Sequence, residues 1–189
     1  KTLFPYTTLF RSLANGSGCA VLSVEYRLAP EHPFPAAPED MRLAFDWSVD
    51  NADLLGIDPA RIALAGDSAG GNLAIVTALA LRAAEVKPAF LLLIYPSTEI
   101  RSARPSRERY AEGFFLDRES LQWFFERYLP GVDTEDWRAS PMRAASPSRS
   151  SAGSSKRATL LTRLWPTRRA RCPPASKQEK RSVQKSSLS

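Results

Sequence analysis

The sequence predicts an α/β fold with a mostly parallel sheet flanked by helices. Short apolar runs alternate with stretches of helical periodicity along residues 13–143, in the order strand, helix, strand, helix, strand, helix. One run, Phe90–Ile94, is apolar throughout, as in a parallel strand that is covered on both faces. The composition, 43% hydrophobic and 24% charged, is typical of a globular protein.

The chain divides into three segments of different character. Residues 1–12 lack helix or strand periodicity, and Leu3–Ser12 resembles a translated sequencing adapter. We therefore expect 1–12 to be an adapter-derived, non-native segment and exclude it from fold reasoning. Residues 13–143 are predicted to form a partial domain. Residues 144–189 hold 11 serines and 11 basic residues but one acidic residue, and we expect a disordered tail.

The basic charge of the chain belongs to the tail. The formal net charge is +6, of which residues 144–189 carry +10 and residues 1–143 carry −4. A mildly acidic body gives no electrostatic reason to seek phosphate backbones. We therefore expect no nucleic-acid partner for the predicted domain.

Several function classes are disfavoured by what the sequence lacks. No apolar run approaches the ~20 residues of a membrane span, and no signal-peptide pattern is visible, which favours a cytoplasmic protein without a span. We expect the native N-terminus to be missing from this chain, so the localisation stays unknown. Two cysteines, Cys19 and Cys172, are too few for a disulfide framework. A single histidine, His32, excludes a multi-histidine metal site. The sequence does not indicate an oligomeric state.

The first half of the predicted domain contains two strands and one helix. The run Cys19–Val24 follows an Asn-Gly-Ser-Gly stretch and is predicted to be a buried strand. A proline-rich loop over Pro30–Pro38 leads into an amphipathic helix predicted over Glu39–Asn51. After a turn at Ile57–Pro59, a second strand is predicted over Arg61–Ala65.

The second half contains one strand between two helices. Asn72–Ala84 is apolar on nearly every face, which predicts a buried helix. Phe90–Ile94 is the third predicted strand. Asp117 is predicted to cap a helix of about twelve residues. The apolar stripe of that helix consists of Leu121, Phe124, Phe125 and Tyr128.

The motif that carries chemistry is Gly66-Asp67-Ser68-Ala69-Gly70. A G-x-S-x-G sequence between a strand and a helix is the context of a nucleophile elbow, in which a strained turn lifts the serine hydroxyl above the sheet edge. We predict Ser68 as the nucleophile and the Ala69 amide as an oxyanion donor near a helix N-terminus. We expect glycine at 66 and 70 to prevent collisions with the neighbouring strand and helix. A plain turn of small residues has the same letters, but the strand and helix on either side favour the elbow.

Two long stretches resemble the hormone-sensitive-lipase-like esterases of the α/β-hydrolase superfamily. They are Val24–Ala37 (VEYRLAPEHPFPAA) and Gly66–Ala74 (GDSAGGNLA). Shorter downstream similarities include Tyr95-Pro96, Glu112–Leu116 and Ser140-Pro141. The resemblance extends over about 13–143 and implies an incomplete α/β-hydrolase fold.

The resemblance implies a serine carboxylesterase that acts on short- to medium-chain acyl esters, with no cofactor and no metal. It gives Ser68 the role of nucleophile and the Ala69 amide a place in the oxyanion hole. Asp67 belongs to the elbow but is not the triad acid. Tyr26 and Glu31 lie in a structural motif and are not predicted to be catalytic.

The sequence departs from the family pattern on both sides of the motif. The His-Gly-Gly-Gly loop expected before Cys19 is absent, and no histidine follows Ser68, although the triad order in this fold is Ser, Asp or Glu, then His. His32 precedes the nucleophile, and we expect it to be structural. Residues Thr162–Arg169, read one base earlier with suitable codons, give the family's Asp-Pro-Leu-x-x-Asp-Glu motif. We therefore expect a frameshift between about 144 and 160 and a nearly inactive chain.

Two alternatives stay open at this point. A non-catalytic hydrolase-like module could use the basic tail to bind RNA or acidic surfaces, and such binding should weaken as salt is raised. An acetyl-hydrolase or amidase of the same fold has the same motifs, so the residues do not separate ester from amide substrates.

Overall fold

The computed structural model describes residues 6–100, 104–132 and 135–144. The predicted frameshifted stretch Thr162–Arg169, Cys172 and almost all of the predicted tail lie outside the described residues. The described residues belong to two units, one containing residues 6–23 and the other containing residues 24–100, 104–132 and 135–144. Among the described residues, no helix has the length and apolar character needed to cross a membrane.

The described part of the first unit contains helix α1 (Tyr6–Ser17). The helix ends at Gly18, which adopts a φ of +69° and donates its amide to the carbonyl of Ala14. The expectation that residues 1–12 lack helical periodicity is therefore wrong for Tyr6–Ser12. Leu9, Phe10 and Leu13 recur at a spacing that puts apolar side chains on one side of a helix. The adapter origin of 1–12 stays a prediction, because conformation does not test it.

The described residues of the second unit form an α/β structure built on two parallel strands. Strands β1 (Ala63–Asp67) and β2 (Phe90–Ile94) pair with Ala63 opposite Phe90 and Asp67 opposite Ile94. Helix α4 (Ser68–Ala80) connects them and packs on both strands, and helix α2 (Ala36–Asp50) packs on α4. The remaining elements are helices α3 (Ala52–Leu55), α5 (Pro105–Arg109) and α6 (Arg118–Tyr128), with 3₁₀ turns at Pro59–Arg61 and Pro141–Arg143.

Two apolar clusters stabilise this unit. The first joins α2, β1 and α4 through Phe45, Leu64, Ala74 and Leu81. The second surrounds Leu129, which is 1% exposed, and consists of Phe34, Ile100, Leu129 and Ala139. Burial beside this second cluster raises the pKa of Tyr128 to about 12.

The predicted strand over Cys19–Val24 is wrong. Residues 18–28 form neither helix nor strand, and they span the boundary between the two units. A strand exists only where its amides and carbonyls pair with a neighbouring strand. Within the described residues, β1 and β2 pair only with each other.

The other predicted elements are present with shifted boundaries. β1 begins two residues after the predicted Arg61, because the Asp58 carboxylate accepts the Ala60 amide at 2.9 Å and holds a 3₁₀ turn there. α2 begins three residues before Glu39, and α4 begins at Ser68 instead of Asn72. β2 has the predicted boundaries. The predicted cap of α6 is confirmed, since Asp117 Oδ1 accepts the Ser120 amide at 2.8 Å.

Candidate active site

Ser68 lies at the junction where β1 changes directly into α4. Asp67 is the last residue of the strand and Ser68 is the first of the helix, with no loop between them. The backbone of Ser68 has a φ of +49°, in the left-handed region that a residue with a Cβ rarely adopts. Such strain persists where surrounding structure holds it, and it concentrates at functional sites. The residue is partly buried.

Gly66 allows the helix to pass close over the strand. A Cβ at this position would overlap the carbonyl group of Gly70 and lie 2.7 Å from the amide nitrogen of Gly71. Gly71 is close to the segment that follows β2, since a Cβ there would lie 2.8 Å from the Cβ of Pro96. The turn therefore requires glycine at both 66 and 71.

The expectation that Gly70 prevents a collision is wrong. A Cβ built on Gly70 meets no heavy atom within 4 Å among the described residues. Gly70 lies in the first turn of α4, and the direction in which a Cβ would leave its Cα is open. The close approach instead occurs one residue later, at Gly71.

The Ala69 amide is placed at the N-terminal end of α4. Ala69 is the second residue of the helix and is exposed. The first four amides of a helix have no acceptor within the helix, and the helix dipole places partial positive charge at this end. These properties suit an amide for contact with an oxyanion beside Ser68.

A three-residue segment after β2, which we call the strap (Tyr95–Ser97), lies against the serine turn. Pro96 contacts Gly71, and the Ser97 amide donates to the carbonyl of Ser68 at 3.0 Å. Tyr95, the residue after β2, has a φ of +36° and is a second strained residue. β2 pairs with β1, which ends just before Ser68. Two adjacent strands thus end in left-handed, non-glycine residues at the same edge of the sheet.

The strap is held by a buried polar side chain that the sequence analysis missed. Asn72 is 5% exposed, and its Nδ2 donates to the carbonyls of Ser97 at 2.6 Å and Ala139 at 2.9 Å. Nearby, Ser140 Oγ accepts the amide of Ile100 at 3.1 Å. The available signal was an amide side chain inside a helix that is apolar on nearly every face.

Asp67 contacts the strap and not a histidine. Its Oδ2 accepts a hydrogen bond from the Tyr95 hydroxyl at 3.4 Å. Although Asp67 directly precedes α4, its side chain makes no cap hydrogen bond to that helix. This contact links the serine turn to the strap. It gives Asp67 no role as the triad acid.

The residues around His32 form a structural connection to α2. Arg27 donates to the Asp40 carboxylate through Nη2 at 2.7 Å and through its backbone amide at 2.9 Å. These hydrogen bonds, with a smaller contribution from the charge of His32, hold the pKa of the Asp40 carboxyl below its usual range. His32 itself is exposed, and its backbone amide donates to the carbonyl of Leu28 at 2.9 Å.

Phe34 anchors the same segment in the core. It is 7% exposed, its amide donates to the Tyr128 carbonyl, and its ring meets the Tyr128 ring edge-on at 5.9 Å. The guanidinium of Arg138 lies 5.2 Å from the centre of the Phe34 ring. The Val24–Ala37 segment thus contacts α2 through Arg27 and α6 through Phe34.

Comparison with known proteins identifies the class to which this fold and serine turn belong. A family model described as alpha/beta hydrolase fold matches residues 1–163. The chain belongs to this family.

The named relatives are ester hydrolases. The chain is 40% identical over 144 residues to ethyl acetate hydrolase of Pseudomonas putida, covering 75% of this chain and 45% of that protein. It is 46% identical over 127 residues to carboxylesterase NlhH of Mycobacterium tuberculosis, covering 67% and 40%. It is 40% identical over 146 residues to hormone-sensitive lipase of Bos taurus, covering 76% and 19%.

Solved structures give the same result. An esterase of Pyrobaculum calidifontis superposes with a TM-score of 0.71 at 43% identity, covering 74% of this chain and 47% of that one. The carboxylesterase EstE1 from a metagenomic library superposes with a TM-score of 0.71 at 42% identity, covering 74% and 49%. The chain therefore spans less than half the length of the relatives it matches.

Proposed function

We propose that the whole protein represented by this chain is a serine carboxylesterase that cleaves short- to medium-chain acyl esters, with Ser68 as the nucleophile. The observation that supports this most directly is the left-handed Ser68 backbone, with a φ of +49°, at a junction that permits only glycine at 66. A serine so placed stands at the end of a strand with helix amides beside it. The ester-hydrolase names of the relatives support the reaction class.

The reaction follows from the chemistry of acyl transfer. The Ser68 hydroxyl attacks the ester carbonyl and forms a tetrahedral oxyanion, and the Ala69 amide stabilises the charge that develops on the carbonyl oxygen. Collapse of this intermediate expels the alcohol and leaves an acyl-serine, which water then hydrolyses. Both halves of the reaction need a base that takes the proton of serine or water and returns it to the leaving group.

This chain does not supply that base in the expected place. His32 is its one histidine, and it precedes Ser68 in the chain. A serine hydroxyl without a base is a weak nucleophile at neutral pH. We therefore propose that the chain of 189 residues is nearly inactive and that activity belongs to the complete protein.

The test compares two polypeptides on p-nitrophenyl acetate, butyrate and octanoate. One is the chain as printed, and the other is the complete protein, whose reading frame is obtained by sequencing the parent DNA across codons 1–12 and 140–189. Each polypeptide is made with its native Ser68 and as the Ser68→Ala variant. The matched control is Ser106→Ala, the same change at an exposed serine. We expect Ser68→Ala to lower kcat/KM of the complete protein by at least about 10³-fold. We expect it to change nothing in the printed chain.

Two results would contradict the proposal. A complete protein that hydrolyses these esters equally well as Ser68→Ala would remove Ser68 from the reaction. Ser68-dependent turnover by the printed chain would show that a base other than a downstream histidine serves Ser68.

A further inference from the structure

Three chain segments meet at the side chain of Asn72. This residue is on α4, four positions after Ser68, and it is almost completely buried. Its single amide nitrogen donates both of its hydrogens, one to the carbonyl of Ser97 in the strap and one to the carbonyl of Ala139 before the last 3₁₀ turn. The distances of 2.6 and 2.9 Å are those of well-formed hydrogen bonds.

The chemistry of these partners demands an amide at position 72. Both acceptors are backbone carbonyls, so the atom that faces them must carry two hydrogens. A carboxylate of the same shape would place an oxygen against two carbonyl oxygens, and it has no hydrogen to donate. Aspartate therefore has the correct volume for this site but the wrong hydrogen-bonding character.

Asn72 is connected to the nucleophile through one residue. Ser97 accepts from Asn72 through its carbonyl and donates its amide to the carbonyl of Ser68 at 3.0 Å. Pro96 lies in the strap between Ser97 and the strained residue Tyr95, and it contacts Gly71 in the first turn of α4. The strap is thus held against the first turn of α4 at Ser68, Gly71 and Asn72.

We propose that Asn72 is a positioning residue for Ser68. By fixing Ser97, it holds the hydrogen bond on the Ser68 carbonyl and so maintains the left-handed backbone of Ser68. Left-handed backbone at a non-glycine residue needs such support from its surroundings. The inference rests on the proposed function, since it assigns Asn72 a role only if Ser68 is the nucleophile.

The test uses the full chain and two variants that act in the same buried region. Asn72→Asp keeps the size of the side chain and removes both donors, while Ser140→Ala removes the nearby acceptor of the Ile100 amide. Two nuclear magnetic resonance readouts are followed in each: amide hydrogen exchange at Ser97 and Ile100, and the carbonyl ¹³C shift of Ser68, which reports the hydrogen bond that this group accepts.

We expect the two variants to have different local effects. Asn72→Asp should accelerate exchange at Ser97 by about tenfold, as loss of hydrogen-bond support at this site implies, and should move the Ser68 carbonyl shift. Ser140→Ala should accelerate exchange at Ile100 and leave the Ser68 carbonyl shift unchanged. Asn72→Ala, which removes the donors without adding charge, should reproduce the effect of Asn72→Asp on Ser97 and Ser68.

Either of two results would overturn the proposal. The first is a folded Asn72 variant with wild-type exchange at Ser97 and an unmoved Ser68 carbonyl shift. The second is the unfolding of both Asn72 variants, because Asn72 would then support the whole domain and not the serine turn in particular. Neither readout needs ester turnover, so failure here leaves the role of Ser68 to the kinetic comparison above.

Discussion

At the scale of single residues, Gly66 and Gly70 differ in what a methyl group would meet. A Cβ at Gly66 overlaps the backbone of Gly70, whereas a Cβ at Gly70 meets no described heavy atom within 4 Å. We expect Gly66→Ala to lower the free energy of unfolding by about 1–3 kcal/mol, the usual cost of forcing an atom into a packed region. Gly70→Ala should leave it unchanged or raise it by up to ~1 kcal/mol, because alanine favours helix.

Urea denaturation of the two variants beside the parent chain measures both effects. Equal unfolding midpoints for Gly66→Ala and Gly70→Ala would show that the helix can move away from β1 without cost. The close passage over Gly66 would then not be what shapes the turn.

The serine turn could be predicted from sequence, but its support could not. The elbow is a local pattern, in which a strand, a G-x-S-x-G motif and a helix follow one another within about twenty residues. The contacts of Asn72 join positions that are 25 and 67 residues apart. A local pattern contains no information about which distant carbonyl a side chain meets, so the sequence did not single out Asn72.

At the scale of elements, helix α6 is held by the residue that follows it. Leu129 is 1% exposed in the cluster with Phe34 and Ile100, whereas Leu54 of α3 is 80% exposed. We expect Leu129→Ala to lower the free energy of unfolding by about 2–5 kcal/mol through loss of burial and the cavity left behind. Leu54→Ala, the same chemical change on the surface, should alter it by less than about 0.5 kcal/mol.

Thermal and urea unfolding of these two leucine variants provide the measurement. A Leu129→Ala variant as stable as the parent chain would mean that this second cluster does not contribute to the unfolding transition. The Val24–Ala37 motif, whose Phe34 lies in that cluster, would then lack its main anchor.

The elements show why an apolar run alone does not decide whether a strand forms or where it begins. Phe90–Ile94 was predicted correctly because all five residues are apolar and the run ends at Tyr95-Pro96. The run Cys19–Val24 has similar composition, yet it forms no strand, since pairing depends on a neighbour and not on the segment itself. Arg61 was predicted in β1, but the cap made by Asp58 places it in a 3₁₀ turn.

At the scale of the whole molecule, carboxylate hydrogen bonds make stability depend on pH. Among the described residues, four carboxyls share a lowered pKa, and the largest cause is a hydrogen bond, from an arginine in three and from the Ser120 amide in the fourth. They are Asp40, Glu99, Asp117 and Asp136. Because the folded pKa lies below the unfolded value of about 4, their stabilisation is complete above that pH and is lost as the pH falls through the folded values.

We therefore expect the urea midpoint of unfolding to be lower at pH 3 than at pH 6. Asp136→Asn serves as the control, because it removes one contributor, whose partner Arg138 lies 2.7 Å away. The variant should show a smaller decrease between the two pH values. A midpoint that stays constant or rises on acidification would contradict the assignment of these carboxyls as stabilising in the charged form.

The exposed strand edges and apolar side chains of the described residues predict self-association. β1 pairs there only with β2, and Leu28, Leu43 and Phe115 are each more than half exposed. An uncovered strand edge is a template for pairing with another chain, and lysine on such an edge opposes that pairing.

We expect light scattering to detect growth in the mass of this chain's particles as its concentration is raised. Ala63→Lys, on β1, should reduce that growth more than Ala60→Lys, on the exposed 3₁₀ turn before it. Equal effects of the two lysines would show that added charge alone reduces the association, wherever the lysine lies. A monodisperse chain that unfolds cooperatively would show that these edges are already protected.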